Sequence, residues 1–250
     1  MVEPNQPSTE PDSLRQLQYE VETCQACPRL VEWREKIAVD KRASFRDETY
    51  WGRPVSGFGD PAAQLVVLGL APAAHGANRT GRIFTGDRSG DWLYRAMHKA
   101  GFANQPHSTG RNDGLTLINA WVTAGVRCAP PKNKPLPEER DQCRPFLRRE
   151  LALLPNLTVV VALGKFAYDL ALQEFASPRK PKFGHGVEVG IEAPVTGSYE
   201  AGRTRRYTRP ITIVCSFHPS QQNTFTGKLT ETMIDGVFDR ARNLASSSEV

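Results

Sequence analysis

The stretch Leu65–Gly90, LVVLGLAPAAHGANRTGRIFTGDRSG, opens with six apolar or glycine residues, Leu65 to Leu70, and then changes character. An unbroken apolar run of this kind reads as a strand buried on both faces. The remainder of the stretch is rich in Gly, Asn, Arg and Thr and holds one aromatic, Phe84, among small and polar residues. A loop at the carboxyl end of a buried strand is where open α/β sheets gather their ligands, because backbone groups leaving the ladder converge there. One apolar plate beside hydrogen-bonding backbone suits a flat polar ring. An ordinary surface loop has the same composition, so the rest of the chain must decide.

Three more strand signals are Leu115–Ala120, Thr158–Leu163 and Ile211–Ser216. Between them, 3.6-residue spacing and end signals predict helices from Ser13, over Asp91–Ala100 with Ser89 as N-cap, from Pro137 to about Leu154, after Gly164 and Lys165 through Glu174, and from about Leu229 to Leu244. Strands alternating with helices predict a three-layer α/β/α sandwich around a central four-stranded, mainly parallel sheet. Four loops then share one rim, those after Leu70, Ala120, Leu163 and Ser216. Residues 1–12 are rich in Pro, Glu, Ser and Asn and read as a disordered tail. Residues 13–250 read as a single domain, with Ser177–Arg209 as a basic insertion of loops and a hairpin.

A formal net charge of +5 and a pI near 9.0 favour a polyanionic partner over an acidic small molecule. No apolar run reaches the ~18 residues of a membrane span, and the N-terminus lacks a charged start followed by an apolar segment. A soluble, cytoplasmic protein is expected. Five cysteines without a secretory signal favour a metal site over a disulfide scaffold. Cys24 and Cys27 form a C-x2-C pair, Cys128 and Cys143 an open pair, and Cys215 sits in an apolar strand as a core residue. Four thiolates hold either tetrahedral zinc or an iron-sulfur cluster, and spacing does not separate the two.

GLAPAAHGANRTGRIFTGD (Gly69–Asp87), Asn119 at a strand end followed by Cys128, and HPSQQN (His218–Asn223) together resemble the three motifs of the uracil-DNA glycosylase superfamily, most closely its family 5. The cysteine pattern resembles the 4Fe-4S site shared by families 4 and 5. The resemblance runs from about Ser13 to Leu244. It implies an enzyme that hydrolyses the N-glycosidic bond of uracil and other deaminated or damaged bases, and so a repair enzyme working as a monomer on double-stranded DNA in a prokaryotic nucleoid. Hypoxanthine, ethenocytosine and hydroxymethyluracil are among those bases. It further implies a 4Fe-4S cluster on Cys24, Cys27, Cys128 and Cys143.

A base taken out of the duplex must be stacked, hydrogen-bonded along its edge and released as an anion. The resemblance makes Phe84 the stacking plate, Asn119 the reader of the N3–H and O4 edge, and His218 the donor to O2 where charge gathers. Gly69, Ala71 and Ala73 would line the base site. Where other families carry a water-activating Asp or Glu, this chain reads Ala71, Pro72, Ala73, Ala74, so a site without a carboxylate is expected. His75 and Asn78 are then the nearest polar groups to orient water. Small side chains there predict a roomy site with a broad substrate range. Arg79, Arg82, Lys132, Lys134, Arg203, Arg205 and Arg206 are the candidate phosphate contacts, and Gln221 or Gln222 the residue that fills the gap left by the base. The competing readings are a non-enzymatic iron-sulfur module on nucleic acid, for which Asn119 and His218 would be dispensable, and an iron-sulfur nuclease, for which the carboxylates are too few.

Overall fold

The computed structural model describes residues 12–197 and 205–247. The expected tail therefore lies outside the described residues except for Asp12, whose carboxylate accepts from Arg149 at 2.9 Å. Six strands form one sheet: β1 (Phe58–Gly59), β2 (Leu65–Gly69), β3 (Ala120–Ala124), β4 (Val159–Leu163), β5 (Glu188–Gly197) and β6 (Arg205–Ser216). Their order is β1-β3-β2-β4-β6-β5. The middle four, β3, β2, β4 and β6, are parallel, and β1 and β5 close the two edges antiparallel. The expected four-stranded sheet is thus its parallel heart. β1 is only two residues long, and β5 is the outer arm of the hairpin, reaching across the stretch expected as an insertion.

Eight helices accompany the sheet among the described residues: α1 (Leu14–Glu22), α2 (Pro28–Asp40), α3 (Ala77–Thr80), α4 (Arg88–Lys99), α5 (Pro137–Ala152), α6 (Lys165–Glu174), α7 (Gln221–Phe225) and α8 (Glu231–Ser246). Pleating divides each central strand between two cores. Leu65 and Val67 of β2 with Val159, Val161 and Leu163 of β4 face α4 and α8, packing on Leu93, Met97, Ile234 and Phe238. Val66, Leu68, Val160 and Ala162 face the other way, onto Leu147 and Leu151 of α5 and Tyr168 and Ala171 of α6. Cys215 is fully buried in this second core, as a small apolar residue would be. No helix is long and apolar enough to cross a membrane among the described residues.

One strand is displaced from its expected place. The run Leu115–Ala120 is not β3; β3 begins at Ala120, because Asn119 takes φ 51° and breaks extended backbone there. Asn119 therefore lies at the amino end of β3. Leu65 pairs with Ala120 in parallel, so Asn119 is beside the start of β2 and a full strand length from the rim formed by Gly69, Ala124, Leu163 and Ser216.

Candidate active site

The segments that follow β2 and β6 converge on one open pocket, lined by Leu70, Ala71, Ala73, His75, Gly76, Phe84, Asp87, Asn133, His218 and Ser220 and rimmed by Arg42, Phe45, Arg88, Gln221 and Gln222. Phe84 sits there with φ 52°. Its ring lies across the end of β2, where a Cβ on Gly69 would come within 2.7 Å of Cζ. Its carbonyl oxygen approaches Gly90 so closely that a Cβ there would lie 1.9 Å away. Two glycines thus let the backbone press Phe84 into the pocket wall. The Phe84 and His218 ring centroids are 5.9 Å apart and tilted by 36°, so an apolar and a polar ring share one corner.

His218 comes just after β6, and its backbone is fixed from the next helix: Asn223 Nδ2 donates to the His218 carbonyl at 2.8 Å. Burial pushes the imidazole pKa down to about 4, so the ring is neutral at pH 7 and presents one N–H. His75 lines the same pocket. Its Nδ1 meets the Tyr50 hydroxyl at 3.1 Å, and burial, with Arg42 and Arg79 nearby, lowers its pKa.

A carboxylate does reach the pocket, contrary to the expectation from Ala71–Ala74. Asp87, not Ser89, is the N-cap of α4, accepting on Oδ1 from Ser89 N at 2.9 Å and Gly90 N at 3.2 Å. Its Oδ2 points at Gly76, where an added Cβ would lie 2.3 Å away. Burial raises the Asp87 pKa despite the two backbone donors. The signal for Asp87 was the aspartate two residues before Ser89, a better cap for a helix that starts at Arg88. Asn133, in a short turn at φ 55°, was also missed, since nothing in CAPPKNKP marks which polar group faces a pocket.

Several expected site residues are elsewhere. Asn119 spends its amide on Gln64: Oδ1 accepts from Gln64 N at 2.7 Å and Nδ2 donates to Gln64 Oε1 at 2.6 Å, on the far rim. Asn78 is buried with Nδ2 donating to the Arg34 carbonyl at 3.1 Å, which ties α3 to α2 and turns the amide away from the pocket. Arg79 is an internal strut, donating to the carbonyls of His75 and Gly86 at 2.8 and 2.9 Å and pairing with Glu48. Arg82 is buried against Asp113, with Ser108 at 2.8 Å. Neither arginine presents a free face to a phosphate. Lys132 and Lys134 are exposed beside Asn133. Arg203 and the side chains of Arg205 and Arg206 lie outside the described residues. The cations at the mouth are instead Arg42 and Arg88, both exposed.

Cys24, Cys27, Cys128 and Cys143 line a second, small cavity with Leu30, Arg34 and Arg127. The thiols are free, and Cys128 and Cys143 are buried. Burial pushes the Cys128 thiol up to about 12 and, with Cys143 and Cys24 nearby, that of Cys27 to about 11. Ala71 packs against this cysteine group and also lines the first pocket, so the two sites share a wall.

The family model described as the uracil DNA glycosylase superfamily matches residues 56–242. A type-5 uracil-DNA glycosylase of Mycobacterium tuberculosis is 49% identical over 238 residues, 93% of this chain and 82% of that protein. One from Mycobacterium leprae is 47% identical over 236 residues, 93% of this chain and 96% of its own length. One from Thermus thermophilus is 47% identical over 222 residues, 89% of this chain and 94% of its own. On that match and those identities, this chain belongs to the uracil-DNA glycosylase superfamily, among the type-5 enzymes.

Proposed function

We propose that this chain is a monofunctional DNA glycosylase that hydrolyses the N-glycosidic bond of uracil and leaves an abasic site, and that it also accepts hypoxanthine, ethenocytosine and hydroxymethyluracil. The observation that carries the proposal is one pocket lined by the Phe84 plate, a neutral His218 beside it and the half-buried Asp87. A flipped base stacks on Phe84. Asn133, not Asn119, offers the amide that matches the N3–H and O4 edge. The His218 N–H meets O2, where negative charge develops as the bond to the sugar breaks. Asp87 Oδ2, across the pocket, accepts a hydrogen bond from the attacking water and faces the positive charge growing on the sugar; its raised pKa makes it the base of the pair. Ala71 and Ala73 leave room that larger residues would fill, which supports the wider range of bases. Arg42 and Arg88 bind phosphates on either side of the extruded nucleotide.

The cysteine cavity fits a 4Fe-4S cluster held by Cys24, Cys27, Cys128 and Cys143. The four cysteines line one small cavity. Four thiols lining one space are the donor set that such a cluster takes. Such a cluster would pin the segment joining α1 and α2 onto β3 and α5, and so support the Ala71 wall.

End-labelled duplexes carrying one lesion each, incubated with the protein and then treated with alkali, test the activity. Cleavage at uracil first, and at hypoxanthine and the adducts more slowly, is expected. Intact strands for every lesion would overturn the proposal.

A further inference from the structure

The interior beside the cysteines holds two guanidinium groups with opposite circumstances. Arg127 has a buried counter-ion: its Nη2 donates to Glu150 Oε2 at 2.6 Å, and both side chains are almost wholly enclosed. Arg34, on α2, is fully buried, yet its only carboxylate among the described residues is Glu35 at 3.5 Å, which is more than half exposed. Inside, its Nη1 donates to Cys128 Sγ at 3.0 Å and to the Cys24 carbonyl at 3.3 Å, while Nε has no partner among the described residues. A buried cation without a buried anion is costly, and here the contacts it makes inside the protein point at the cysteine group.

We infer that Arg34 is the counter-charge and outer hydrogen-bond donor of an anionic group held by Cys24, Cys27, Cys128 and Cys143. This rests on the proposed cluster. A cluster bound by four thiolates is an anion, and the fork of Arg34 meets one of its ligand sulfurs directly, which a surface cation would not do. Hydrogen bonds and positive charge at the ligand sulfurs favour the reduced, more negative state. Arg34 therefore holds the reduction potential up and slows loss of iron. Its carbonyl also receives Asn78 Nδ2, so the residue that compensates the cysteine group anchors the loop of the base pocket as well.

The test uses the full chain, purified without oxygen, as wild type and as Arg34→Met, Arg34→Lys and Glu35→Gln. Iron and sulfide content of the wild type come first. Absence of iron would overturn both the proposed cluster and this inference. With iron present, Arg34→Met should release iron to a chelator about tenfold to a hundredfold faster, the range for loss of an outer partner of a metal ligand. Its reduction potential should shift to more negative values. Arg34→Lys, which keeps the charge but loses the fork, should show smaller changes of the same sign and carries the test should the Met protein not fold. Glu35→Gln should match wild type in both measurements. Wild-type potential and iron release in the Arg34 variants would overturn the inference while leaving the cluster in place.

Discussion

The ring of Phe84 stands 5.9 Å from that of His218 and tilts 36° from its plane. One corner of the pocket thus offers a stacking surface and a hydrogen-bond donor together. Phe84→Ala should remove the plate and leave the fold, because the backbone at φ 52° asks no more of Ala than of Phe. Base–aromatic stacking contributes about 1–3 kcal/mol, so uracil excision at limiting DNA should fall about fivefold to a hundredfold. The check is single-turnover kinetics beside a thermal melt. An unchanged rate would mean that the base lies elsewhere.

His218→Ala should be more damaging to chemistry than to binding. Loss of one preorganised donor at a developing anion costs about 3 kcal/mol, or about a hundredfold in single-turnover rate with enzyme saturating. The loss should be larger for uracil than for hypoxanthine, which has no oxygen equivalent to O2. Equal losses on both would make His218 a loop support.

His218 also leaves a mark on acid stability. Its folded pKa, about 4, lies below the ordinary 6.5, so between those values the unfolded chain binds more protons than the folded one. Its contribution is fully present above pH 6.5, is lost as pH falls toward 4, and changes no further below that. His218→Gln should flatten this part of a denaturant-midpoint profile measured from pH 4 to pH 7. An unaltered slope would show that the ring is not buried in the neutral form.

Asp87→Asn separates the two tasks of that side chain. Asn caps helices as well as Asp does, so the bonds to Ser89 and Gly90 and the melting temperature should persist. The carboxylate is lost, and with it a general base of the kind that contributes about a hundredfold or more. Since burial raises the Asp87 pKa, the wild-type rate should decline as pH drops through that raised value, and the acid limb should vanish in Asp87→Asn. Retention of the limb would assign it to another group.

Three strands of the sheet's heart were legible because β2 and β4 are unbroken apolar runs, and the inner half of β6 is apolar but for Thr212 up to Ser216, with turn residues after them. Asn119 was not. Leu115, Leu117 and Ile118 supply the apolar residues of a strand, but they precede it, and Ala120–Ala124 carries the ladder. A shift of five residues carried the asparagine from one rim to the other, and only pairing with β2 reveals it. Asp87 and Asn133 stayed hidden for a related reason: each belongs to the pocket through the position of its turn, which no local pattern encodes. Asn119→Ala should accordingly lower stability by about 1 kcal/mol, as Gln64 loses its half-buried partner, with near-normal excision at a permissive temperature. Asn133→Ala should do the reverse. Similar effects of the two on excision would contradict this assignment.

Phe225, rather than Gln221 or Gln222, should fill the gap that the extruded base leaves in the duplex. Both glutamines are on the first turn of α7 and line the pocket, so in the proposed complex they lie beside the base and not behind it. Phe225 ends that helix and is 69% exposed, an unusual state for a large aromatic. The Arg88 guanidinium lies over its ring, 4.7 Å from the centroid, so the aromatic is held against the cationic mouth of the pocket. α7 itself is fixed to the loop after β6 through Asn223 Nδ2 and the His218 carbonyl. A rigid apolar group at that place replaces lost base stacking, a term of a few kcal/mol that exists in a duplex and is largely absent from a single strand. Phe225→Ala should therefore slow uracil excision from duplex DNA about tenfold or more and leave single-stranded substrate nearly unaffected, whereas Gln221→Ala should affect both alike. The ratio of duplex to single-strand rates is the measurement, and a ratio unchanged by Phe225→Ala would return the role to the glutamines.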